Sequence, residues 1–87
     1  MDIYAEEGTK VVVTEDSIKN GYYYVEEHAR KFLKVGVTYT IESTDVSGLN
    51  TDVYLKEFPD EVFNSVSFED IDWLHITSEA KVSSLNY

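Results

Sequence analysis

The chain predicts an α+β domain: a small curled antiparallel sheet, closed into a partly open barrel, with one helix inserted between the first and second strands. Three observations predict it. Residues 37–46 and 51–58 alternate apolar and polar side chains on either side of a polar turn, which is the period of a half-buried hairpin. Ahead of them, Ile18, Tyr22, Val25, Ala29, Phe32 and Leu33 recur at spacings of three and four, one face of a helix. The 87 residues, 43% hydrophobic and 14% aromatic, supply one modest core and leave no room for a second.

In chain order, Lys10–Thr14 is a β-branched run with Val11 and Val13 on one face, ended by Glu15, Asp16 and Ser17. That is the first strand. Asn20 and Gly21 mark a turn, although Asp16 or Ser17 could cap an earlier helix start. The helix is expected over Tyr22 to Lys31, with Glu26–Arg30 and Glu27–Lys31 in the favourable acid-before-base order on its exposed side. Lys31 and Lys34 complement its carbonyl end, and Gly36 stops it.

In the second strand Val37, Tyr39 and Ile41 point one way while Thr38, Thr40 and Glu42 point the other. After the Ser47–Asn50 turn, Val53 and Leu55 mark the core face of a strand running from Thr51 to Phe58. Pro59 ends that strand because it has no N–H for a ladder, and Pro59–Glu61 is expected as a tight turn or a single 3₁₀ turn. Asn64–Glu69 is then a short strand or turn with Val66 and Phe68 inward. One further short strand is expected over Ile71–Thr77. Residues 1–87 read as a single domain, with 79–87 a loose tail.

The stretch from Gly36 to Glu69, preceded by a strand and a helical insertion, resembles a group of small proteins of bacteriophages and mobile elements that are similar to SH3-like barrels. The resemblance covers about Lys10 to Glu69: Gly36 matches the strand-opening glycine, Pro59 the sheet-ending proline, and Phe63, Asn64 and Phe68 the closing aromatic stretch. It implies an SH3-like partly open barrel and a host-cell setting in which small acidic proteins inhibit nucleases or other defence enzymes. It transfers no catalytic residues.

Composition bounds the function. Seventeen carboxylates against seven Lys and Arg give a net charge of −10, which attracts cationic surfaces and repels nucleic acid and anionic membranes. Cysteine is absent, so disulfides and thiolate metal sites are excluded. No basic leader and no apolar run near ~18 residues occurs, and a soluble protein of the host cytoplasm is expected. The two histidines, His28 and His75, form no ligand or catalytic spacing, and His28 is expected as a solvated residue on the helix. Glu69, Asp70 and Asp72 lack the glycine and ligand order of a calcium loop, and the four glycines are isolated, so no metal, cofactor or phosphate cradle is indicated.

What remains points to binding. Glu57, Asp60, Glu61, Glu69, Asp70 and Asp72 fall around turns that a curled sheet could gather at one edge, with Trp73 nearby. Carboxylates with aromatic anchors could imitate a phosphate backbone and occupy the basic groove of a nucleic-acid enzyme. Tyr22 belongs to the apolar helix face, whereas Tyr23 and Tyr24 lie about 100° and 200° around it, so at least one of them is exposed as an interface anchor. The expected function is therefore a non-enzymatic, acidic, phage-type protein that inhibits a host protein by occupying a basic surface. Two alternatives stand beside it: an accessory module that self-associates through its sheet edge and tyrosines, and a barrel holding a small ligand near Arg30, Lys31 and Lys34.

Overall fold

The computed structural model describes residues 1–71. Its strands are β1 (Lys10–Val12), β2 (Thr38–Val46), β3 (Thr51–Leu55), β4 (Phe58–Asn64) and β5 (Glu69–Asp70), and its helices are α1 (Glu15–Ile18) and α2 (Tyr23–Phe32). A 3₁₀ turn, Ser65–Ser67, joins β4 to β5. The strands form one antiparallel sheet in the order β4-β3-β2-β1-β5, open between its two edges. The expected α+β class holds at this level. The expected strand Ile71–Thr77 and the tail 79–87 lie outside the described residues, apart from Ile71.

β2 organises the sheet. Its first residues pair with β1, Val11 opposite Tyr39, and the remainder pairs with β3 from Ile41 opposite Leu55 to Val46 opposite Thr51. The register shifts between Ile41 and Ser43, so a bulge at Glu42 bends the strand where it passes from one neighbour to the other. The bend gives the sheet a concave side. There Val11, Val13, Ile41, Val53 and Leu55 are fully buried, and Ala29 and Leu33 of the α2 segment close over them with Phe63 and Phe68.

The insertion between β1 and β2 holds two helices where the sequence predicts one. Thr14 caps α1 reciprocally: its hydroxyl accepts from the Ser17 N–H at 2.9 Å, and the Ser17 hydroxyl accepts from the Thr14 N–H at 2.9 Å. Ile18, placed by periodicity on the main helix, belongs to this separate turn. Gly21, at φ +86°, breaks the chain before α2, which starts and stops one residue later than expected. Of the two expected ion pairs only Glu26–Arg30 forms among the described residues, at 2.8 Å.

The second half of the sheet corrects the sequence reading most. The hairpin turns at Lys56 and Glu57, and Pro59 lies inside β4 instead of ending β3. β4 is an edge strand, and the pairing jumps from Leu55 opposite Phe58 to Tyr54 opposite Val62. The proline thus sits in a bulge where no ladder N–H is needed. Val66, expected inward, is exposed on the 3₁₀ turn, whereas Phe68 is buried as expected. Val37 is exposed because it precedes β2 in the turn whose N–H bonds Lys34 O. Thr40, assigned to the polar face, is buried under Lys10 and Glu57.

That burial has a chemical cause. The Thr40 N–H donates to both carboxylate oxygens of Glu57, at 2.9 and 3.1 Å, the Lys56 N–H donates to Thr40 O at 2.9 Å, and Lys10 Nζ donates to Thr40 Oγ1 at 2.6 Å. Partial burial, the largest single influence on Glu57, works against its charged form. The hydrogen bonds with Thr40, with help from Lys10, outweigh it and hold the carboxyl below the ordinary glutamate range. A lowered folded value adds stability that is fully present above the ordinary glutamate range and lost as pH falls through the lowered one. Glu57→Ala should therefore cost about 1 kcal/mol at neutral pH, discounted for solvent at the turn. In urea titrations from pH 7 downward, the gap to the parent protein should close as acid protonates Glu57; a gap constant with pH would exclude this role.

One buried polar atom stands apart. Ser17 Oγ donates to Ser67 O at 2.8 Å, but the Ser67 hydroxyl, itself fully buried, meets no hydrogen-bond partner among the described residues. A buried unpaired hydroxyl is a desolvation cost without return. Ser67→Ala is expected to leave stability unchanged or raise it by up to about 1 kcal/mol. A fall in the urea midpoint would show that the hydroxyl is satisfied after all.

Candidate functional site

Gly21 sets up the site. A Cβ there would stand 3.2 Å from Val25 Cβ and 3.3 Å from Val66 Cγ2, so both the positive φ and the close approach of the helix start to the 3₁₀ turn require glycine. Tyr22 follows as the residue capping α2, with extended backbone (φ −70°, ψ 160°). Its ring therefore escapes the helical spacing that would set residues two apart on different sides. It stacks on Tyr24, with centroids 5.7 Å apart and planes 10° from parallel, and Tyr23 meets Tyr24 edge-on at 6.1 Å.

All three rings face solvent: Tyr22 is 72%, Tyr23 79% and Tyr24 61% exposed. The assignment of Tyr22 to the buried helix face is thereby corrected. The apolar stripe of α2 proper begins only at Val25, once the backbone is helical.

His28, one turn on, is half-covered instead of freely solvated. Its ring lies 5.1 Å from that of Phe32 and 5.2 Å from that of Phe63, and its Nε2 is 3.5 Å from Glu61 Oε1 on β4. Between the start of α2 and strands β3 and β4 runs an open groove of about 330 Å³. Tyr22, Tyr24 and His28 line one wall, and Asp52, Val62 and Val66 line much of the other. A shallower hollow of about 250 Å³ adjoins it through Asn50, Asn64 and Val66, beside Leu49, which is 95% exposed at the tip of the β2–β3 turn.

Asp52 carries the charge of the groove. It lies directly opposite Asp45 on β2 and opposite Asn64 on β4, so the three side chains form a row across the sheet. Like charges facing each other across a strand pair are mildly destabilising. Among the described residues neither aspartate forms an ion pair.

The acidic residues singled out in the sequence divide between the two edges of the sheet. Glu57 is held by Thr40, Asp60 is exposed in the β4 bulge, and Glu61 meets His28. Glu69 and Asp70 form β5 at the opposite end of the strand order, and Asp70 Oδ1 accepts the Asp2 N–H at 3.1 Å. Asp72, Trp73 and His75 lie outside the described residues. Tyr24 and His28 line the same groove, and His28 in turn meets Glu61. Arg30 is engaged by Glu26, whereas Lys31 and Lys34 form no ion pair among the described residues. Those residues also contain no group of three or more His, Cys, Asp or Glu placed to hold a metal ion.

Sequence reasoning passed over Asp52, Val62, Val66 and the groove role of His28. The uninterrupted tyrosine run directly after Gly21 was the signal available, because three adjacent large rings cannot all reach one buried face.

Fold and site together define a small α+β domain with an exposed aromatic groove. The chain belongs to the family described as bacteriophage T4 protein Y07B, whose family model matches residues 2–83. No curated protein and no solved structure matches the chain. Among the described residues, no helix is long and apolar enough to cross a membrane.

Gly21→Ala tests how the groove is built. It should cost about 1–3 kcal/mol, since alanine is strained at this φ and its methyl meets Val25 and Val66. Thermal melts would register the loss, and unchanged stability would show that the turn can relax without the glycine.

Proposed function

We propose that the protein is a small, acidic, non-enzymatic phage protein that inhibits a host protein by occupying a basic surface on it. A defence nuclease, as an anti-CRISPR or other anti-defence protein would target, is the favoured class of partner. The observation that carries this reading is uncompensated charge: among the described carboxylates only Glu7, Glu26 and Glu61 meet a basic side chain within ion-pair distance. The exposed Asp45, Asp52 and Asp60 do not. Such a surface steers association with a cationic partner and displaces the counterions, or the nucleic acid, that the partner would otherwise hold. Membership of a phage family supports a host-cell setting.

We read the fold as an SH3-like partly open barrel. Support comes from the meander β2-β3-β4 followed by a 3₁₀ turn that returns β5 to pair with β1. Self-association is the second reading, favoured by the three exposed tyrosines. The bulge at Pro59 and the carboxylates on β4 work against pairing through that edge.

A tagged protein incubated with host lysate at low salt should retain a partner whose activity falls on saturation. Replacing Asp45→Asn and Asp60→Asn together should lower affinity several-fold and flatten its salt dependence. Recovery of no partner, or a saturated partner with full activity, would remove the inhibitor reading.

A further inference from the structure

We propose that the groove between α2 and the β3–β4 hairpin receives an arginine side chain presented by the partner protein. The inference rests on the reading of this chain as a module that binds a basic protein surface, and it names the chemistry of the contact. Three features of the groove converge on a guanidinium.

The first is charge. Of the described side chains lining the groove, only Asp52 is formally charged with histidine neutral, and Asp45 directly opposite adds to the same row a second carboxylate with no ion pair among the described residues. An anionic occupant would meet repulsion there and in the field of a chain carrying −10 overall. A cation placed at Asp52 relieves the repulsion between the two aspartates that the fold otherwise sustains.

The second feature is shape. Tyr22 and Tyr24 already form a near-parallel stack at the rim, and a further planar cation can lie on the face of such a ring. Guanidinium is planar, weakly hydrated and able to stack on an aromatic face while its edge donates two hydrogen bonds to a carboxylate. An ammonium group carries the same charge without the plane or the fork. The third feature is the wall of Val25, Val62 and Val66, which suits the aliphatic stem of a long side chain. Asn50 and Asn64 also line the groove, with Asn64 Oδ1 accepting the Val66 N–H at 3.1 Å and Asn50 Oδ1 accepting from Asn64 Nδ2 at 3.4 Å, which leaves Asp52 as the acceptor for the guanidinium.

The test uses the full chain, labelled with nitrogen-15, titrated with three capped peptides: acetyl-Gly-Arg-Gly-amide, its lysine version and its citrulline version. Citrulline keeps the planar shape and loses the charge. Saturable shifts are expected at Tyr22, Tyr24, Asp52, Val62 and Val66, with the citrulline peptide about ten-fold weaker and the lysine peptide several-fold weaker than arginine. Asp52→Asn should weaken the arginine peptide about five-fold or more and leave the citrulline peptide unchanged. Tyr24→Leu should erode the preference for arginine over lysine.

Equal binding of arginine and citrulline peptides would overturn the proposal. So would equal arginine and lysine binding with shifts spread over the acidic surface, no saturable shift at all, or indifference to Asp52→Asn in a variant whose spectrum shows the native fold. If either variant misfolds, the ranking of the three peptides on the parent protein decides alone. The two readings fail separately: a host partner captured and inhibited despite absent peptide binding leaves the inhibitor and removes the arginine site, whereas arginine binding without any host partner does the reverse.

Discussion

The division of β2 between two neighbours is the constraint on which the rest of this molecule depends. A nine-residue strand that pairs with β1 over its first residues and with β3 over the others must bend at the hand-over, and the bulge at Glu42 supplies the bend. Bending leaves backbone groups without regular ladder partners, and Thr40 is where this is resolved. Its N–H is taken by the Glu57 carboxylate and its C=O by the Lys56 N–H, so the tight β3–β4 turn is tied back onto β2. The N-terminal arm reinforces the same corner. Gly8 N donates to Ile41 O at 2.8 Å, and Lys56 reaches Glu7 at 2.8 Å, a hydrogen bond that holds the Glu7 carboxyl below its ordinary range.

The groove is a consequence of this geometry. A curled sheet offers one concave face, and the α2 segment covers it with Ala29 and Leu33, turning its first residues out over the edge strand β4. Gly21 lets the helix start approach the 3₁₀ turn, and the tyrosines that follow have no interior to enter. They stack on one another instead, above Val62 and Val66. Aromatic surface is left in water beside Asp52, which forms no ion pair among the described residues, and the proposal of a cationic partner rests on that juxtaposition.

Acidity serves more than one purpose here. Glu57 is a fold-forming group, Asp70 holds the backbone of the N-terminal arm, and carboxylates on the β4 edge oppose strand addition while Pro59 interrupts the ladder. Asp45 and Asp52 have no such structural return, since each faces the other and neither forms an ion pair among the described residues. Their cost to the fold sets them apart from carboxylates that a solvated surface carries for solubility alone.

Local periodicity was enough to determine several elements from the amino-acid order: a helix displaced by only one residue, the β2–β3 hairpin, and the burial of Val11, Val13, Val53 and Leu55. These are properties of a residue and its near neighbours, fixed by a repeat of two or of three to four. Tertiary structure decided the rest. Pro59 could enter a strand only because that strand lies at the edge with a bulge, Thr40 could be buried only because Glu57 and Lys10 arrive from elsewhere in the chain, and Tyr22 was excluded from the core by a backbone that had not yet become helical. The groove belongs to this second class as well, since Tyr22, Asp52 and Val66 are distant in sequence and become neighbours only when a bent sheet and a glycine turn bring their surfaces together.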